Sequence, residues 1–420
     1  MTSIKLTDEQ SSAIARMRLW LDTTRESFFL LKGSAGTGKT LCISDLATAG
    51  GRFAFTAPTN KATKVLKDSV TTDTYKPLCK TIYSLLGLTL GTDGEVKELK
   101  GGKSKVMLSS YDAIVVDEAS LISKELFAHI ETAAIMHNAR FLFMGDPAQL
   151  PPINEKSSRV WEIGSAAMLT RVMRHDNEIL ALATKIREEV DKAEPNTRLA
   201  AANDGVEGVW KLDRGAFEAQ IKEDAIAGLF SLQNNCKVIA WRNKRVDAFN
   251  KLIRGAIFND PLTPKWTAGD RVLFASAIKD HEERVIASID DEGTVVETDI
   301  EIYNGLKAWI LTVQLDDEEG TIVEAIALHE DAVEAYTSKL RVLADDARSK
   351  KTRWHSYWAF KELFHEVKYA YAITAHRAQG STYETAYVCW QDILRNSNVN
   401  EAYRCLYVAA TRPKKRLILS

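Results

Sequence analysis

The feature that most constrains the fold is a glycine-rich motif near the start of the chain. Residues 33–40 read GSAGTGKT, a full match to the phosphate-binding P-loop pattern. The apolar run at 28–31 suits a buried strand, and the apolar residues at 41–43 open a helix. This order of strand, turn and helix predicts an α/β domain that binds a nucleotide, and an ordinary glycine turn is the structural alternative.

Each residue type in the motif suits a chain of phosphates. Glycine lets the backbone turn tightly, so that successive N–H groups and the helix N-terminus face the phosphate oxygens. Lys39 would reach the β- and γ-phosphates, and the Thr40 hydroxyl would bind Mg²⁺. The predicted cofactors are therefore ATP and Mg²⁺. The predicted nucleotide-binding positions of the motif are Gly33, Ala35, Gly36, Thr37, Gly38, Lys39 and Thr40.

The composition fits a globular cytoplasmic protein with more than one domain. The chain has 420 residues, of which 45% are hydrophobic and 27% are charged, and this length allows two or more cores. It contains no apolar run of about 18 residues, so we expect no membrane span. The five cysteines form no C-x-x-C pair, which argues against a zinc site or a disulfide framework. A formal net charge of −2 does not by itself indicate nucleic acid.

Two further apolar runs end in polar residues suited to ATP hydrolysis. The run at 113–116 is followed by adjacent carboxylates, Asp117 and Glu118. Asp117 can hold Mg²⁺, while Glu118 can polarise the water that attacks the γ-phosphate. The run at 141–144 leads to Gln149, whose amide could sense the γ-phosphate. Arg174 follows in a segment that reads LTRVMR and is a candidate cation for the phosphates.

Two segments in the first half of the chain each have two interpretations. Gln10 follows Thr7 at the spacing of a capping box, which would start the first helix, and an adenine contact is the alternative. Pro58, Thr59 and Asn60 follow the predicted strand at 52–57. Hydroxyl and amide groups at a helix N-terminus suit a nucleic-acid phosphate, but they could equally cap the helix alone.

The second half changes character along its length. Residues 191–210 are polar and broken by glycine and proline, as expected of a crossing between domains. Short β runs dominate from 266 to 344, which predicts a small β-barrel insertion. Trp354 and Trp358 then lie among lysine and arginine residues. They could stack on bases or pack along one helix face.

The order of these motifs resembles superfamily 1 helicases and, within them, the RecD-like superfamily 1B branch, most closely the Dda-like helicases. The segments that carry the resemblance are LTDEQ, GSAGTGKT, APTNKAT, TIYSLL, VVDEAS, GDPAQLPPI, LTRVMR, ITAHRAQGST and YVAATR. They occur in the family's order and span nearly the whole chain. The resemblance implies an ATP-dependent DNA helicase that moves 5′ to 3′ on single-stranded DNA, unwinds duplex and serves DNA replication or repair.

The resemblance also implies roles for individual residues. The implied catalytic residues are Lys39, Glu118, Gln149, Arg174 and Arg412. Gln379 and Gly380 would complete the surroundings of the γ-phosphate, with Thr40 and Asp117 at the metal. The implied DNA-binding positions are Pro58, Thr59, Asn60, Thr374 and His376, to which we add Trp354 and Trp358 from the residue pattern.

The implied architecture is α/β, with two RecA-like P-loop NTPase domains and two insertions. Domain 1A is expected over 1–190, with a β-hairpin insertion, 1B, at about 87–110. Domain 2A is expected over 191–264 and 369–420, with an SH3-like β-barrel insertion, 2B, over 265–368. The implied partners are single-stranded DNA and junctions of single- and double-stranded DNA, with replication or single-strand-binding proteins as further candidates. A cytoplasmic monomer is expected, in the host cytoplasm if a phage encodes it.

Two departures from the Dda-like pattern leave alternatives open. The Dda-like hairpin uses an aromatic residue to separate strands, whereas none lies between Leu85 and Ser110. Leu90, Val96 or Leu99 would have to serve instead. Position 60 carries asparagine where the Dda-like helicases carry histidine, which changes a DNA contact. A single-stranded DNA translocase that displaces proteins and unwinds weakly is therefore one alternative, and a P-loop small-molecule kinase is another.

Overall fold

The computed structural model describes residues 6–23, 25–48, 50–90, 96–98, 107–171, 178–192, 194–280, 285–317 and 319–420. The chain forms two compact units. One comprises Met1–Lys211 with Ala378–Ser420, and the other comprises Leu212–Arg377. Within the described ranges, no helix is both long and apolar enough to cross a membrane.

Strands and helices alternate in the first part of the chain. The strands are β1 (Phe28–Gly33), β2 (Phe53–Ala57), β3 (Leu78–Thr81), β4 (Leu88–Leu90), β5 (Val96–Glu98), β6 (Ala113–Val116), β7 (Phe141–Gly145), β8 (Ala166–Leu169), β9 (Ala202–Asn203) and β10 (Gly208–Lys211). The helices are α1 (Asp8–Thr23), α2 (Lys39–Thr48), α3 (Asn60–Val70), α4 (Ile82–Leu86), α5 (Lys124–His137) and α6 (Glu178–Glu189).

Six of these strands form one sheet, in the order β3-β2-β6-β7-β1-β8. Every pair of neighbours runs parallel, so the carboxyl ends of the strands meet at one edge. Helices cover both faces, as a parallel sheet requires. In β7, for example, Leu142 and Met144 join the core on one face, whereas Phe141 and Phe143 join the core on the other. This two-sided burial explains why the strands read as unbroken apolar runs.

The predicted hairpin at 87–110 is described only in part. β4 and β5 pair antiparallel, with Leu88 opposite Glu98 and Leu90 opposite Val96. Val96 and Leu88 belong to a hydrophobic core of the first unit, so Val96 is a packing residue. Leu99 and the Leu90 side chain lie outside the described residues, and a strand-separating role for the hairpin stays a prediction.

The end of the chain completes the first unit. It contains β20 (Tyr383–Val388), α12 (Trp390–Ile393), α13 (Val399–Ala410) and β21 (Pro413–Leu419). β20 and β10 each pair parallel with β21, and β9 pairs antiparallel with β10. α13 packs against α6, so a helix from the end of the chain contacts one from the first half.

The second unit combines α/β and antiparallel structure. Its elements are α7 (Arg214–Ile226), β11 (Cys236–Ala240), α8 (Asn243–Phe258), β12 (Arg271–Phe274), β13 (Ile278–Lys279), β14 (Val285–Ala287), β15 (Glu292–Tyr303), β16 (Leu306–Leu315), β17 (Ile322–Leu328), α9 (Val333–Arg348), α10 (Trp354–Lys361), β18 (Val367–Tyr369) and β19 (Ala372–Thr374), followed by the short α11 (Ala375–Ala378). β11 and β19 pair parallel. An antiparallel sheet in the order β17-β16-β15-β12-β18 lies where the β insertion is predicted. Its SH3-like character and the four domain boundaries stay predictions.

Candidate nucleotide site

The P-loop lies at the carboxyl end of β1, where α2 begins. Gly36 and Gly38 have φ angles of 80° and 84°, a region that glycine adopts without strain. The Lys39 ammonium donates to the carbonyls of Gly33 at 2.7 Å and Ser34 at 3.0 Å. Burial lowers the pKa of Lys39, while the carboxylates of Asp146, Asp117 and Glu118 act against that shift. The Lys39 ammonium thus contacts carbonyls of its own loop, with acidic groups from two other loops nearby.

Gln10 serves the P-loop and the start of α1 together. Its backbone N–H donates to Thr7 Oγ1 at 3.2 Å and its Oε1 accepts the Thr7 N–H at 3.0 Å, which confirms the capping box. Its Nε2 donates to the Thr37 carbonyl at 3.0 Å. A Cβ at Gly38 would lie 2.4 Å from the same nitrogen, so a side chain at position 38 would have to displace the Gln10 amide. The adenine contact of Gln10 stays a prediction.

The adjacent carboxylates follow β6, at the same edge of the sheet. Asp117 Oδ1 accepts the N–H of Glu118 at 2.8 Å. Glu118 has a φ of 51°, which is uncommon for a residue with a side chain other than asparagine or aspartate. Burial, and then the charge of Glu118, raise the pKa of the Asp117 carboxyl well above its usual range, whereas Lys39 acts in the opposite direction. This excess of negative charge suits a divalent cation.

A polar cluster connects these carboxylates to the loop after β7. Gln379 Nε2 lies 3.2 Å from Glu118 Oε2, 3.0 Å from Ser120 Oγ and 3.2 Å from Gln149 Oε1. Gln149 and Gln379 are buried. In the described part of the chain, Gln379 Oε1 has no hydrogen-bond partner. The structure therefore brings three of the predicted site residues, Glu118, Gln149 and Gln379, into contact.

Gly380 follows Gln379 directly, and the Arg412 side chain contacts Ser381 one residue further along. The Arg412 guanidinium donates to the carbonyls of Val408 at 2.9 Å and Ser381 at 3.0 Å. Gly380 has a φ of 76°, and a Cβ there would lie 3.2 Å from the Cβ of Ala62. Arg174 lies outside the described residues, so its role stays a prediction.

Comparison with known proteins finds similar sequences and a similar solved structure. Residues 5–208 match a family model described as an AAA domain, and residues 369–420 match a UvrD-like helicase C-terminal domain. The ATP-dependent DNA helicase dda of Enterobacteria phage T4 is 25% identical over 91% of this chain and 92% of its own length. The ATP-dependent RecD2 DNA helicase of Deinococcus radiodurans is 31% identical, over 36% of this chain and 19% of its own length. A Bacteroides Pif1 helicase with bound ADP-AlF3 and ssDNA superposes with a TM-score of 0.55, at 15% identity, over 99% of this chain and 92% of that one.

These matches make the chain a homologue of the superfamily 1B helicases Dda and RecD2, as the order of its motifs predicts. It is an ATP-hydrolysing enzyme of that family. The predicted fold class is confirmed as a mixed α/β helicase fold, with a parallel-sheet P-loop domain and a second domain.

The predicted DNA-binding residues of this Dda-like helicase lie in both units. In the first, the Thr59 side chain caps α3 by accepting the Ala62 N–H at 3.2 Å, with Pro58 and Asn60 beside it. The helix-cap interpretation is therefore correct, and the DNA contact stays a prediction.

In the second unit, Thr374 ends β19 and His376 is exposed on α11. Trp354 and Trp358 lie on α10 and are 44% and 41% exposed. The rings of both contact Tyr357 between them. A large part of each ring is open to solvent, so both the base-stacking and the helix-face interpretations stay predictions.

Four residues near the site are functional candidates that the sequence did not predict. Asp146, at the end of β7, is fully buried and accepts a hydrogen bond from the Tyr407 hydroxyl at 2.5 Å. Arg187 of α6 lies 3.4 Å from the same carboxylate. Arg404 donates to the carbonyl of Gln149 at 2.8 Å. The only available signal was the three-residue spacing of Arg404 and Tyr407, which places both on one helix face.

Proposed function

We propose that this Dda-like helicase uses Mg-ATP hydrolysis to move 5′ to 3′ along single-stranded DNA and to unwind duplex DNA ahead of it. The observation that carries the proposal is the contact of Gln379 with Glu118 and Gln149 beside the P-loop. Gln379 belongs to predicted domain 2A, whereas the other two belong to predicted domain 1A. Such a contact gives the second predicted domain a way to respond to the nucleotide held by the first.

The roles in hydrolysis follow from charge and position. Lys39 leaves its carbonyl partners to bind the β- and γ-phosphates, and the P-loop N–H groups bind the remaining phosphate oxygens. Glu118 is the general base for the attacking water. Gln379 Oε1, which has no hydrogen-bond partner among the described residues, is an acceptor next to Glu118, and it suits a water molecule that needs a fixed orientation. Arg174 and Arg412 supply positive charge to the transferred phosphoryl group.

The residues at the carboxyl ends of β1 and β6 fit a magnesium ion. Mg²⁺ prefers oxygen ligands, and one or two carboxylates usually hold it together with substrate phosphates. Asp117 and the Thr40 hydroxyl would hold it here. The raised pKa of Asp117 supports this fit, because a bound cation would offset the negative charge that now opposes ionisation. When bound, the ion neutralises charge on the β- and γ-phosphates.

The proposed DNA contacts divide between backbone and bases. Pro58, Thr59 and Asn60 lie at the N-terminus of α3, whose N–H groups suit a phosphate of the DNA backbone. Thr374 and His376 are proposed to contact the strand from the second unit. The exposed faces of Trp354 and Trp358 suit stacking on bases, and Lys361 lies 4.8 Å from the Trp358 ring.

Unwinding requires free energy, which ATP hydrolysis must supply. Stacking opposes duplex separation by about 1.4 kcal/mol per base pair on average. ATP can drive movement only if it binds two conformations of the enzyme with different affinities. We propose that loss of the γ-phosphate changes the Gln149 and Gln379 contacts and so shifts that equilibrium.

One observation favours a second candidate function. Residues 86–110 contain no aromatic side chain to act as a strand separator, and Val96 is packed into the core. A single-stranded DNA translocase that displaces bound proteins and unwinds weakly would need no such wedge. Both candidates share the ATP site, the direction of movement and the single-stranded DNA partner.

The direct test of the shared part is ATP hydrolysis with and without single-stranded oligonucleotide. We expect strong stimulation by DNA, and loss of turnover in Lys39→Ala shows that the activity belongs to this site. Stimulation by a small alcohol substrate, with none by DNA, would instead indicate the kinase. We further propose a cytoplasmic monomer that works with replication or single-strand-binding proteins at DNA junctions.

A further inference from the structure

The loop that carries Gln149 takes its shape from one buried carboxylate. This loop, residues 146–151, follows β7 and contains no helix or strand. The Asp146 carbonyl accepts the Gln149 N–H at 3.1 Å, and its Oδ1 accepts the Ala148 N–H at 3.0 Å. The position of the Gln149 amide therefore depends on where Asp146 is held.

Two side chains of α13 donate hydrogen bonds to this loop. The Tyr407 hydroxyl donates to Asp146 Oδ2 at 2.5 Å. Arg404 donates through one nitrogen to the carbonyls of Pro147 at 2.5 Å and Gln149 at 2.8 Å. Both side chains come from one face of the helix, because residues three apart are neighbours on a helix surface. The loop is thus fixed at its buried carboxylate and along its backbone.

Arg404 is itself held in a single orientation. Its second terminal nitrogen lies 2.8 Å from each carboxylate oxygen of Asp191, and its Nε donates to Asn400 Oδ1 at 2.7 Å. The Arg404 side chain is only 11% exposed. All three guanidinium nitrogens therefore have acceptors, and together these contacts restrict rotation of the guanidinium plane. Arg404 therefore acts as a rigid support for the loop.

The same hydroxyl of Tyr407 also contacts the P-loop. It accepts the Ala35 N–H at 3.4 Å, and Ala35 is one of the predicted phosphate-binding positions. Burial and the neighbouring Asp146 carboxylate raise the pKa of Tyr407, so the hydroxyl keeps the proton that it shares with Asp146. One oxygen atom thereby connects the predicted phosphate cradle to the carboxylate that shapes the Gln149 loop.

We infer that Tyr407 and Arg404 are positioning residues, which act on ATP hydrolysis by holding the 146–151 loop where the Gln149 amide meets the reacting phosphate. The inference rests on the proposed role of Gln149. Neither residue is assigned a contact with the reacting atoms. A phosphate oxygen that accepts the Ala35 N–H would compete with the Tyr407 hydroxyl for this hydrogen bond. Nucleotide binding would therefore change the contacts of the hydroxyl that anchors the loop.

The test removes one hydroxyl and leaves the ring. Tyr407→Phe is expected to lower kcat by about 10- to 100-fold, the cost of a small displacement in a catalytic site. The KM for ATP is expected to change by less than about threefold, because the loop acts on the reaction step more than on ground-state binding. The matched control is Tyr403→Phe on the same helix. The Tyr403 hydroxyl donates to the Pro195 carbonyl at 3.2 Å and accepts the Thr197 N–H at 3.4 Å, away from the loop. The kcat of Tyr403→Phe should therefore equal that of the wild type.

A double-mutant cycle separates positioning from general damage. If Tyr407 acts through Gln149, adding Tyr407→Phe to Gln149→Ala should change kcat by less than about twofold, since the loss is already complete. Losses that multiply in the double mutant, or an unchanged kcat in Tyr407→Phe alone, would overturn the inference. If Tyr407→Phe does not fold, Arg404→Lys takes its place, because it keeps the charge and loses the planar fork.

A second readout needs no turnover. Hydrogen exchange of peptides that cover residues 146–151 should be faster in nucleotide-free Tyr407→Phe than in the wild type or Tyr403→Phe, because a released loop opens more often. Equal exchange in all three proteins would refute the anchoring. A wild-type enzyme without DNA-stimulated hydrolysis would refute the proposed function instead, and the exchange result would still decide the anchoring of the loop.

Discussion

Glu118→Gln removes one negative charge from the nucleotide site and preserves the shape of the side chain. The amide oxygen of glutamine can still accept the Gln379 Nε2–H, which lies 3.2 Å from the carboxylate in the structure. The polar cluster should therefore survive, whereas the base that receives the proton of the attacking water is lost. A positioned general base contributes about 10²- to 10⁴-fold in rate, so we expect ATP turnover to fall by about that factor.

Nucleotide binding should survive the same change. After burial, the charge of Glu118 is the largest cause that raises the pKa of Asp117. Removing that charge lowers the Asp117 pKa, so at neutral pH the metal ligand is ionised more readily than in the wild type. We expect the Kd for Mg-ATP to stay within about threefold of the wild-type value, a difference of less than about 1 kcal/mol.

The assay pairs phosphate release at saturating single-stranded DNA with equilibrium binding of a fluorescent ATP analogue. Glu131→Gln is the matched control, because Glu131 lies in a partly exposed ion pair with Arg159 at 3.6 Å and should turn over ATP normally. Turnover by Glu118→Gln within about threefold of the wild type would refute the general-base role. Loss of nucleotide binding would instead assign Glu118 a structural role.

Three further substitutions test the P-loop, the buried ion pairs of the second unit and helix α8. Lys39→Ala should abolish ATP turnover and weaken ATP binding in calorimetry, because the ammonium that reaches the phosphates is gone. Normal turnover would show that the P-loop is not the ATP site. Arg271→Met should destabilise the second unit by up to about 3 kcal/mol in urea unfolding, because Arg271 pairs with Asp316 and lies 3.6 Å from Glu292 in a mostly buried cluster; an unchanged midpoint would contradict this. Gly255→Ala should raise the melting temperature through a gain of up to about 1 kcal/mol, since Gly255 is exposed within α8 with open space around it, and a lower temperature would show that the position is constrained.

The structural features of the candidate site that follow from the sequence are local in the chain. The P-loop, the capping box of Thr7 and Gln10, and the carboxylate pair after β6 each depend on residues within about ten positions, so spacing alone reveals them. The parallel order of the sheet follows from alternating strands and helices. The resemblance to a helicase family then supplied Gln379, which no local pattern would have linked to Glu118.

The remaining contacts join distant segments and had no local signal. Tyr407 and Asp146 are 261 positions apart, and neither residue type predicts the other. Val96 was a candidate strand separator, yet it is buried, because hydrophobicity alone does not distinguish a core residue from an exposed wedge. Thr59 shows the converse case, in which a helix cap and a phosphate contact require the same residue type.

Movement from 5′ to 3′ with unwinding is best examined by ATP-dependent strand separation on matched duplexes with either a 5′ or a 3′ single-stranded tail. We expect separation of the 5′-tailed duplex only, and none by Lys39→Ala. Separation only from the 3′ tail would contradict the direction. No separation from either tail, with DNA-stimulated ATP hydrolysis intact, would contradict unwinding and favour the translocase.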